Sequence, residues 1–379
     1  MSSRPDRPLR IGITCYPSVG GSGILAASLG EQLARRGHAI HFISYERPFR
    51  ISADADRTQF HPVVINDYAL FKYPDYTLPL SVKMAEVAAS EALDVLHVHY
   101  AVPHATAAIL ARSMLPPDRQ PRVVTTLHGT DTTLLGRDAG YRPAIRHALG
   151  CSDAVTVVSH WLKQETHRLL DFPGPIDVIH NFYAPRPPSR SVAEVRAELG
   201  LRDELLLVHL SNLRPVKRVD LLLDAIARVR PRERLKLLII AGEDFGPFVP
   251  QVERLGLTDR VIVRHRVAEV EDYLQAADLG VFTSENESFC LGVLEAMSFG
   301  RPSVATNIGG VPEVVEPGVS GVLVAAGDVD AFAREVELLL ADTKRRTALG
   351  RAAQARAQAC FSVDAIVPQY EALYRRVIG

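Results

Sequence analysis

The fold of this chain is decided by residues 279–297, LGVFTSENESFCLGVLEAM. The stretch opens with five residues typical of a buried strand, continues into a polar loop, and ends in a small-residue apolar segment that favours a helix from about residue 289. Strand, loop and helix in this order are part of a parallel βαβ unit. Because the first N–H groups of a helix have no partner within it, this helix start favours a bound phosphate. The stretch predicts an α/β domain with an anion site.

The same alternation extends from this stretch in both directions along the 379 residues. Strands are predicted at 11–16, 39–45, 95–98, 123–127 and 154–158, and again at 205–210, 235–241, 261–264, 279–283, 303–306 and 321–324. Between the two series, 184–189 (APRPPS) has the composition of a linker. The sequence therefore predicts two doubly wound, Rossmann-like domains, an N-terminal one at 1–184 and a C-terminal one at 185–379. The last helix is free to pack back on the first domain.

Composition excludes several classes of protein. The net charge of −1 argues against a nucleic-acid surface, and the four cysteines lie far apart without zinc or disulfide spacing. The N-terminus is polar, and no apolar run reaches the ~18 residues of a membrane span. We expect a soluble, cytoplasmic protein without nucleic-acid partners or stable membrane insertion, and a homo-oligomer is compatible with these features.

Two glutamates flank the predicted helix start. Glu287 lies just before the helix and Glu295 about one turn inside it. Since carboxylates accept hydrogen bonds from paired hydroxyls, Glu287 suits a sugar and Glu295 a ribose, with the segment from Phe289 through Cys290 to Leu291 on the phosphates. In the alternative interpretation, Glu287 is a negative charge that interacts favourably with the helix dipole, and Glu295 is a solvated helix residue.

A second cluster, 211–218 (SNLRPVKR), follows a predicted strand and precedes a helix. Arg214 and Lys217 are three residues apart in this loop and can converge on one anion. Fixed cations stabilise the charge that develops on a leaving nucleotide diphosphate, which would replace a metal ion. A solvated basic loop is the other interpretation.

A glycine-rich loop follows the first strand. Its glycines allow close approach of a ligand, and it can be written Gly21-x-Gly23-x-x-Ala26 with Glu46 about twenty residues further on. This pattern is a nominal dinucleotide fingerprint, so an NAD-dependent oxidoreductase is a second hypothesis. That hypothesis leaves the two glutamates unexplained.

Three further patterns leave alternatives open. His128 and Asp131, at a strand end, suit acid–base groups or a satisfied strand-end histidine. His97-x-His99 suits strand-end packing as readily as metal binding, without a third ligand at convincing spacing. Asp54-Ala55-Asp56 has the form of an Asp-x-Asp metal motif, but it lacks the strand context and is interpreted as surface.

The segment 284–302 resembles the Glu-x7-Glu motif of family 4 retaining glycosyltransferases, and 307–313 (NIGGVPE) is similar to that family's Gly-Gly-x-Pro-Glu turn. The resemblance implies a GT-B fold with two Rossmann-like domains facing across a cleft. It implies that Glu287 contacts the donor hexose, Glu295 the ribose, and the Arg214–Lys217 pair the diphosphate, without metal or cofactor. It places His128 near the reacting sugar, and we expect Gly21 to contact both substrates.

The N-terminal half is similar to the branch of this family that uses UDP-N-acetylglucosamine and L-malate in the first step of bacillithiol biosynthesis. The resemblance lies in 11–23 (IGITCYPSVGGSG), 97–105 and 125–131. The residues expected to bind the malate carboxylates are Ser18, Gly20, Gly21, Tyr100, Thr126 and Arg146. An inositol phosphate or lipid acceptor remains an alternative within the family.

The mechanism and two departures from the family pattern follow from the same residues. Attack on the face that the leaving group vacates is favoured, while Glu287 is the one candidate nucleophile for a double displacement. Cys290 replaces the usual glycine, which suits a backbone-amide ligand but not a position that requires a positive φ. Residues 264–267 (RHRV) differ from the family near the nucleotide base.

Overall fold

The structure, a computed structural model, describes residues 7–18, 21–48, 57–65, 75–231 and 234–379. The chain divides into two units. One contains the chain up to His180 together with Val363–Gly379, and the other is Asn181–Ser362. The C-terminal helix thus belongs to the first unit, an arrangement for which the predicted division at residue 184 left room.

The first unit is built on a parallel sheet of seven strands in the order β3-β2-β1-β4-β5-β6-β7. The strands are β1 (Arg10–Thr14), β2 (Ala39–Ser44), β3 (Thr58–Pro62), β4 (Val95–His99), β5 (Arg122–Leu127), β6 (Ala154–Val157) and β7 (Asp177–Val178). Its helices include α1 (Ser22–Arg35), α2 (Thr77–Ser90), α3 (Thr106–Ser113), α4 (Arg142–Cys151) and α5 (His160–Leu170).

The second unit has a parallel sheet of six strands in the order β10-β9-β8-β11-β12-β13. The strands are β8 (Leu205–Ser211), β9 (Leu235–Ala241), β10 (Val261–His265), β11 (Leu279–Phe282), β12 (Ser303–Thr306) and β13 (Val322–Val324). Its helices include α6 (Val192–Glu198), α7 (Val219–Arg228), α8 (Val249–Arg254), α9 (Val270–Ala276), α10 (Leu291–Ser298), α11 (Val311–Val314), α12 (Val329–Ala341) and α13 (Thr343–Phe361).

The predicted α/β fold with two parallel sheets is confirmed, and the predicted strands correspond to β1, β2, β4–β6 and β8–β13. Their apolar runs follow from burial of both sheet faces: β9, LKLLIIA, has one position that is not fully buried. β3 and β7 were not predicted. β3 (TQFHP) is an edge strand without a fully buried residue, and β7 has two residues, so neither carries a strong hydrophobic pattern.

The C-terminal helix α14 (Val363–Ile378) completes the first unit. Its Tyr370 and Tyr374 are almost fully buried, and Glu371 lies 3.0 Å from His38 Nε2 and 3.3 Å from an Arg36 nitrogen. Among the described residues no helix is long and apolar enough to cross a bilayer.

Strand order also fixes where ligands can bind. In each sheet the chain winds in one direction and then reverses, between β1 and β4 in the first unit and between β8 and β11 in the second. Loops that leave the carboxyl ends of such a strand pair diverge and open a crevice, which is the usual ligand site of doubly wound sheets. Ligand sites are therefore expected at the loops after β1, β4, β8 and β11.

Candidate active site

An ion pair lies at the strand-order reversal of the second unit. Lys217 follows β8, Glu287 follows β11, and Lys217 Nζ lies 2.6 Å from Glu287 Oε1. The Ser284 hydroxyl donates to the same carboxylate oxygen at 2.9 Å. The two side chains are 20% and 9% exposed, so both charges are largely removed from water. Burial lowers the pKa of Lys217, but the charge of Glu287 and their hydrogen bond outweigh burial, and the pKa is raised above its ordinary value.

The turn Gly309-Gly310 supports the backbone of Glu287. Gly310 N donates to Glu287 O at 2.9 Å. Gly309 has φ +53°, and a Cβ there would lie 1.9 Å from Glu287 O. Because this contact is with backbone, no side chain larger than hydrogen fits without moving Glu287. The glycine pair noticed in the sequence thus fixes the position of the site carboxylate.

The start of α10 lies next to this pair, as predicted. Gly292 packs closely on the strand ends, since a Cβ there would lie 2.7 Å from the Phe282 ring and 3.0 Å from Leu210 O. Phe289 and Cys290 are buried and Glu295 is half-buried on the helix. The helix begins at Leu291, so its first amides are oriented as an anion site requires.

Cys290 corrects one expectation from the sequence. It precedes α10 with φ +74° and ψ +77°, in the left-handed region. The position therefore has the positive φ that glycine normally supplies, and a cysteine nevertheless adopts it. Burial raises the pKa of the Cys290 thiol well above its ordinary value, and the charge of Glu287 raises it further.

The two predicted cations differ in environment. Lys217 is enclosed, whereas the Arg214 side chain is 54% exposed, with its Nε 3.9 Å from an oxygen of Glu243. Arg218, which follows Lys217 in the chain, forms hydrogen bonds to Asp220 at 2.9 and 3.0 Å and to Glu285 at 3.0 Å. Arg218 therefore secures the loop, and Lys217 is the cation that reaches Glu287.

Neutral groups occupy the strand-order reversal of the first unit. The Tyr100 hydroxyl, after β4, lies 2.6 Å from the hydroxyl of Ser22 in the first turn of α1. Tyr100 has φ +81° and ψ +139°, a strained backbone for a residue with a side chain. Ser18 folds over the same helix start, because a Cβ on Gly23 would lie 2.6 Å from its hydroxyl. Gly21 caps α1 with φ +60°.

A histidine pair lies beside Tyr100. His99 Nδ1 is 2.8 Å from His128 Nε2, and the rings of Tyr100 and His128 are 5.2 Å apart between centroids. Burial lowers the pKa of His128 to about 3 and that of His99 well below its ordinary value. Both rings are neutral at physiological pH. Sequence reasoning identified His128 and Tyr100 but missed Ser22 and His99 as their partners.

The structure does not support Thr126 as a ligand residue. Thr126 is fully buried, and its hydroxyl lies 2.7 Å from His97 Nε2 and 2.6 Å from the Thr156 hydroxyl. His97 Nδ1 lies 2.7 Å from the Tyr374 hydroxyl, so both of its nitrogens have partners inside the protein. This chain of hydrogen bonds fastens α14 to the sheet, and strand-end packing explains His97.

The remaining predicted residues differ in their surroundings. Arg146, on α4, is 45% exposed and pairs with the exposed Asp171 at 3.4 Å. Asp131 is fully buried, accepts bonds from the backbone N–H groups of Ala101 and Gly129 at 3.2 Å, and has a pKa that burial raises to about 6. Gly20 and the Asp54-Ala55-Asp56 motif lie outside the described residues.

Comparison with known proteins identifies the family. The model for glycosyl transferases group 1 matches residues 191–356, and that for glycosyltransferase family 4 matches residues 19–186. The chain is 42% identical, over 98% of its length and 97% of the relative's, to N-acetyl-alpha-D-glucosaminyl L-malate synthase of Bacillus anthracis. It is 36% identical to D-inositol 3-phosphate glycosyltransferase of Segniliparus rotundus over 51% of this chain and 44% of that protein.

A solved structure shows the same fold. Sucrose-phosphate synthase from Thermosynechococcus elongatus superposes with a TM-score of 0.77 at 23% identity, covering 97% of this chain and 99% of that one. The matched models and the full-length relative decide between the two enzyme classes that the sequence left open, against an oxidoreductase. The chain is a glycosyltransferase and belongs to glycosyltransferase family 4.

Proposed function

We propose that this enzyme transfers N-acetylglucosamine from UDP-N-acetylglucosamine to the hydroxyl of L-malate with retention of anomeric configuration, the first step of bacillithiol biosynthesis. The observation that carries the proposal is the 42% identity to an N-acetyl-alpha-D-glucosaminyl L-malate synthase over 98% of the chain. That alignment includes the N-terminal half, where the sequence predicts the acceptor residues.

The donor site of the proposal is built on the Lys217–Glu287 pair. An ammonium has three N–H donors, so Lys217 can keep its 2.6 Å bond to Glu287 and still donate to phosphate oxygens. Glu287 then accepts from a sugar hydroxyl, and Glu295 accepts from the ribose. The first amides of α10, after Phe289 and Cys290, face the diphosphate.

The leaving group is stabilised by charge. As the glycosidic C–O bond breaks, negative charge grows on the β-phosphate, where Lys217, Arg214 and the α10 start lower its energy. The acceptor hydroxyl attacks the face that UDP leaves, and the β-phosphate takes its proton. This arrangement requires no metal ion, so activity should persist in EDTA. Complete loss of activity, restored by magnesium or manganese, would contradict it.

The acceptor site of the proposal uses directional donors. Ser18, Gly21 and Tyr100 meet at the start of α1, where hydroxyl and amide groups suit one malate carboxylate. His128 lies beside Tyr100. Arg146 is proposed for the second carboxylate, because its 3.4 Å pair with Asp171 is solvent-exposed and a ligand carboxylate can replace it. Gly20 stays a sequence-based member of this site, and we leave Thr126 out of the proposal because its buried hydroxyl has partners inside the protein.

The experiment is an acceptor panel. The protein is incubated with UDP-N-acetylglucosamine and, separately, L-malate, D-malate, L-lactate or inositol 3-phosphate, while UDP release and product mass are followed. L-malate should give a conjugate of malate and N-acetylglucosamine, and lactate, which lacks the second carboxylate, should react poorly. Equal rates for lactate and malate would exclude a site for two carboxylates. Preference for inositol phosphate would move the acceptor assignment to that branch of the family.

A further inference from the structure

The hydrogen-bond partner of His128 is itself a histidine. His99 is the last residue of β4 and is fully buried, and its Nδ1 lies 2.8 Å from His128 Nε2. A neutral imidazole carries one hydrogen on one of its two nitrogens. One of the two facing nitrogens must therefore donate and the other accept. Which one donates determines what His128 can do with its second nitrogen.

The surroundings of His99 decide the direction of this bond. Among the described residues, His99 Nε2 is buried without a hydrogen-bond partner. A hydrogen on Nε2 would be a buried N–H without an acceptor, which proteins avoid more strictly than an unused lone pair. A hydrogen on Nδ1 has an acceptor at 2.8 Å. His99 is therefore protonated at Nδ1 and donates to His128 Nε2.

The neighbours of His99 keep it in place. His104 Nδ1 donates to the His99 carbonyl oxygen at 2.5 Å, and the rings of His97 and His99 are 4.5 Å apart between centroids. His97 in turn is held at both nitrogens by Tyr374 and Thr126. His99 thus has a fixed main chain and a fixed ring, as a group that orients another residue requires.

We propose that His99 is a positioning residue that fixes the tautomer of His128, so that neutral His128 carries its hydrogen on Nδ1 and cannot act there as a base. The part of His128 in the reaction rests on the proposed function, but the tautomer does not. In this tautomer Nδ1 is a hydrogen-bond donor and cannot remove the acceptor's proton. The proton therefore leaves by another route, which the proposed function assigns to the β-phosphate.

The direct test is spectroscopic and uses the full chain without substrate. Protein labelled with [15N]histidine is examined by long-range 1H–15N correlation, and the His128 ring is assigned by its absence in His128→Asn. We expect His128 Nε2 to have the chemical shift of an unprotonated nitrogen and Nδ1 that of a protonated one. The reverse assignment would overturn the proposal, whatever the enzyme's substrates are.

Kinetics test the functional consequence. His99→Leu removes the donor, whereas His99→Asn retains an amide N–H close to the position of Nδ1. We expect His99→Leu to lower kcat/KM about ten- to a hundredfold, by analogy with the partners that orient metal-binding histidines, and His99→Asn to recover most of it. Equal activity of the two variants would contradict a positioning role.

Tyr374→Phe is the matched control. It removes the 2.7 Å bond to His97 and leaves a buried nitrogen unsatisfied, but it does not touch the His99–His128 bond. We expect a lower Tm with an unchanged His128 tautomer and unchanged kcat/KM. A changed tautomer in this control would show that the packing of α14, rather than His99, sets the state of His128. Failure of the malate assignment would appear in the acceptor panel and would leave these spectra unchanged.

Discussion

The two strand-order reversals of this protein differ in electrostatic character, because one holds an ion pair and the other holds neutral groups. In the second unit, the loops after β8 and β11 bring together a buried ammonium and a buried carboxylate, Lys217 and Glu287, 2.6 Å apart. In the first unit, the loops after β1 and β4 bring together two hydroxyls, Ser22 and Tyr100, at 2.6 Å. The same sheet topology therefore presents a charged pair in one unit and a pair of neutral hydroxyls in the other.

This difference agrees with the ligands proposed for the two reversals, which we call the donor end (second unit) and the acceptor end (first unit). A leaving diphosphate gains charge during the reaction, and a fixed cation lowers the energy of that change. An acceptor must be oriented so that one hydroxyl faces the sugar. Rigid neutral donors at the start of α1 suit that orientation, and Arg146 is the cation proposed for the second carboxylate. Supporting strain is found at both ends, with positive φ at Tyr100 in one unit and at Cys290 in the other.

The largest expected effect is at the charged end. Lys217→Ala should lower kcat by a factor equivalent to about 2–4 kcal/mol of activation free energy, the cost of losing one preorganised transition-state donor. Steady-state kinetics with saturating substrates measures it. Lys83→Ala, which breaks an exposed pair with Glu86, is the control and should not change kcat. A folded Lys217→Ala enzyme with wild-type kcat would remove Lys217 from the mechanism.

A second change separates backbone strain from the position of Glu287. Gly309→Ala adds a Cβ 1.9 Å from Glu287 O at φ +53°, whereas Gly318→Ala has φ +76° with open space around the Cβ. Gly318→Ala should lower the free energy of unfolding by about 1–2 kcal/mol through strain alone. Gly309→Ala should lower it further and also weaken the binding of UDP-N-acetylglucosamine, whose sugar Glu287 is proposed to hold. Chemical denaturation and calorimetry measure the two effects, and equal affinity of both variants for UDP-N-acetylglucosamine would show that the turn does not position Glu287.

The stabilities of the two units should also respond differently to a lower pH. Burial lowers the pKa of His97 and His128 to about 3 and that of His104 to about 4 in the first unit. In the second unit burial lowers the pKa of His209 to about 4. Below about pH 6.5 the unfolded chain binds protons that these rings do not, so the free energy of unfolding falls as the pH is lowered.

Hydrogen exchange measures this difference between pH 6.5 and about 4, after correction for the intrinsic exchange rate. Peptides from β4 and β5 should lose protection at higher pH than peptides from β8 and β11. Asp131, whose pKa burial raises to about 6, takes up a proton in the folded state and offsets one histidine. Simultaneous loss of protection in both units would show that the histidines do not set the acid stability of the first unit.

The smallest expected effect concerns Cys290. Its φ of +74° favours glycine, so Cys290→Gly relieves strain but loses a buried side chain and increases the entropy of the unfolded chain. We expect a change in the free energy of unfolding within about 1 kcal/mol, and a lower Tm for Cys290→Ala, which keeps the strain. Thermal denaturation of the two variants decides. A higher Tm for alanine than for glycine would show that φ is not the dominant cost.

Strand periodicity and loop composition were sufficient to predict both sheets except for β3 and β7. Chemistry at strand ends was sufficient to predict Lys217, Glu287, Tyr100 and His128 as candidates. The contacts between candidates were not predictable, because Lys217 and Glu287 are 70 residues apart and His99 and His128 are 29 apart. The position of Thr126 at a strand end suggested a ligand-binding hydroxyl. In the structure this hydroxyl is instead hydrogen-bonded to buried partners that no local sequence pattern indicates. Nor does composition reveal that Cys290 adopts a glycine-like backbone.

The most direct measurement is a two-substrate kinetic comparison of Glu287→Gln and Tyr100→Phe, with UDP-N-acetylglucosamine and L-malate each varied. The proposed division between a donor site built on the Lys217–Glu287 pair and an acceptor site built around the neutral groups at the start of α1 predicts that Tyr100→Phe raises the KM for malate and leaves that for the donor unchanged. Glu287→Gln should lower kcat and raise the KM for the donor, with the malate KM unchanged. If both variants raise the same KM, or if Tyr100→Phe affects the donor alone, the division is wrong.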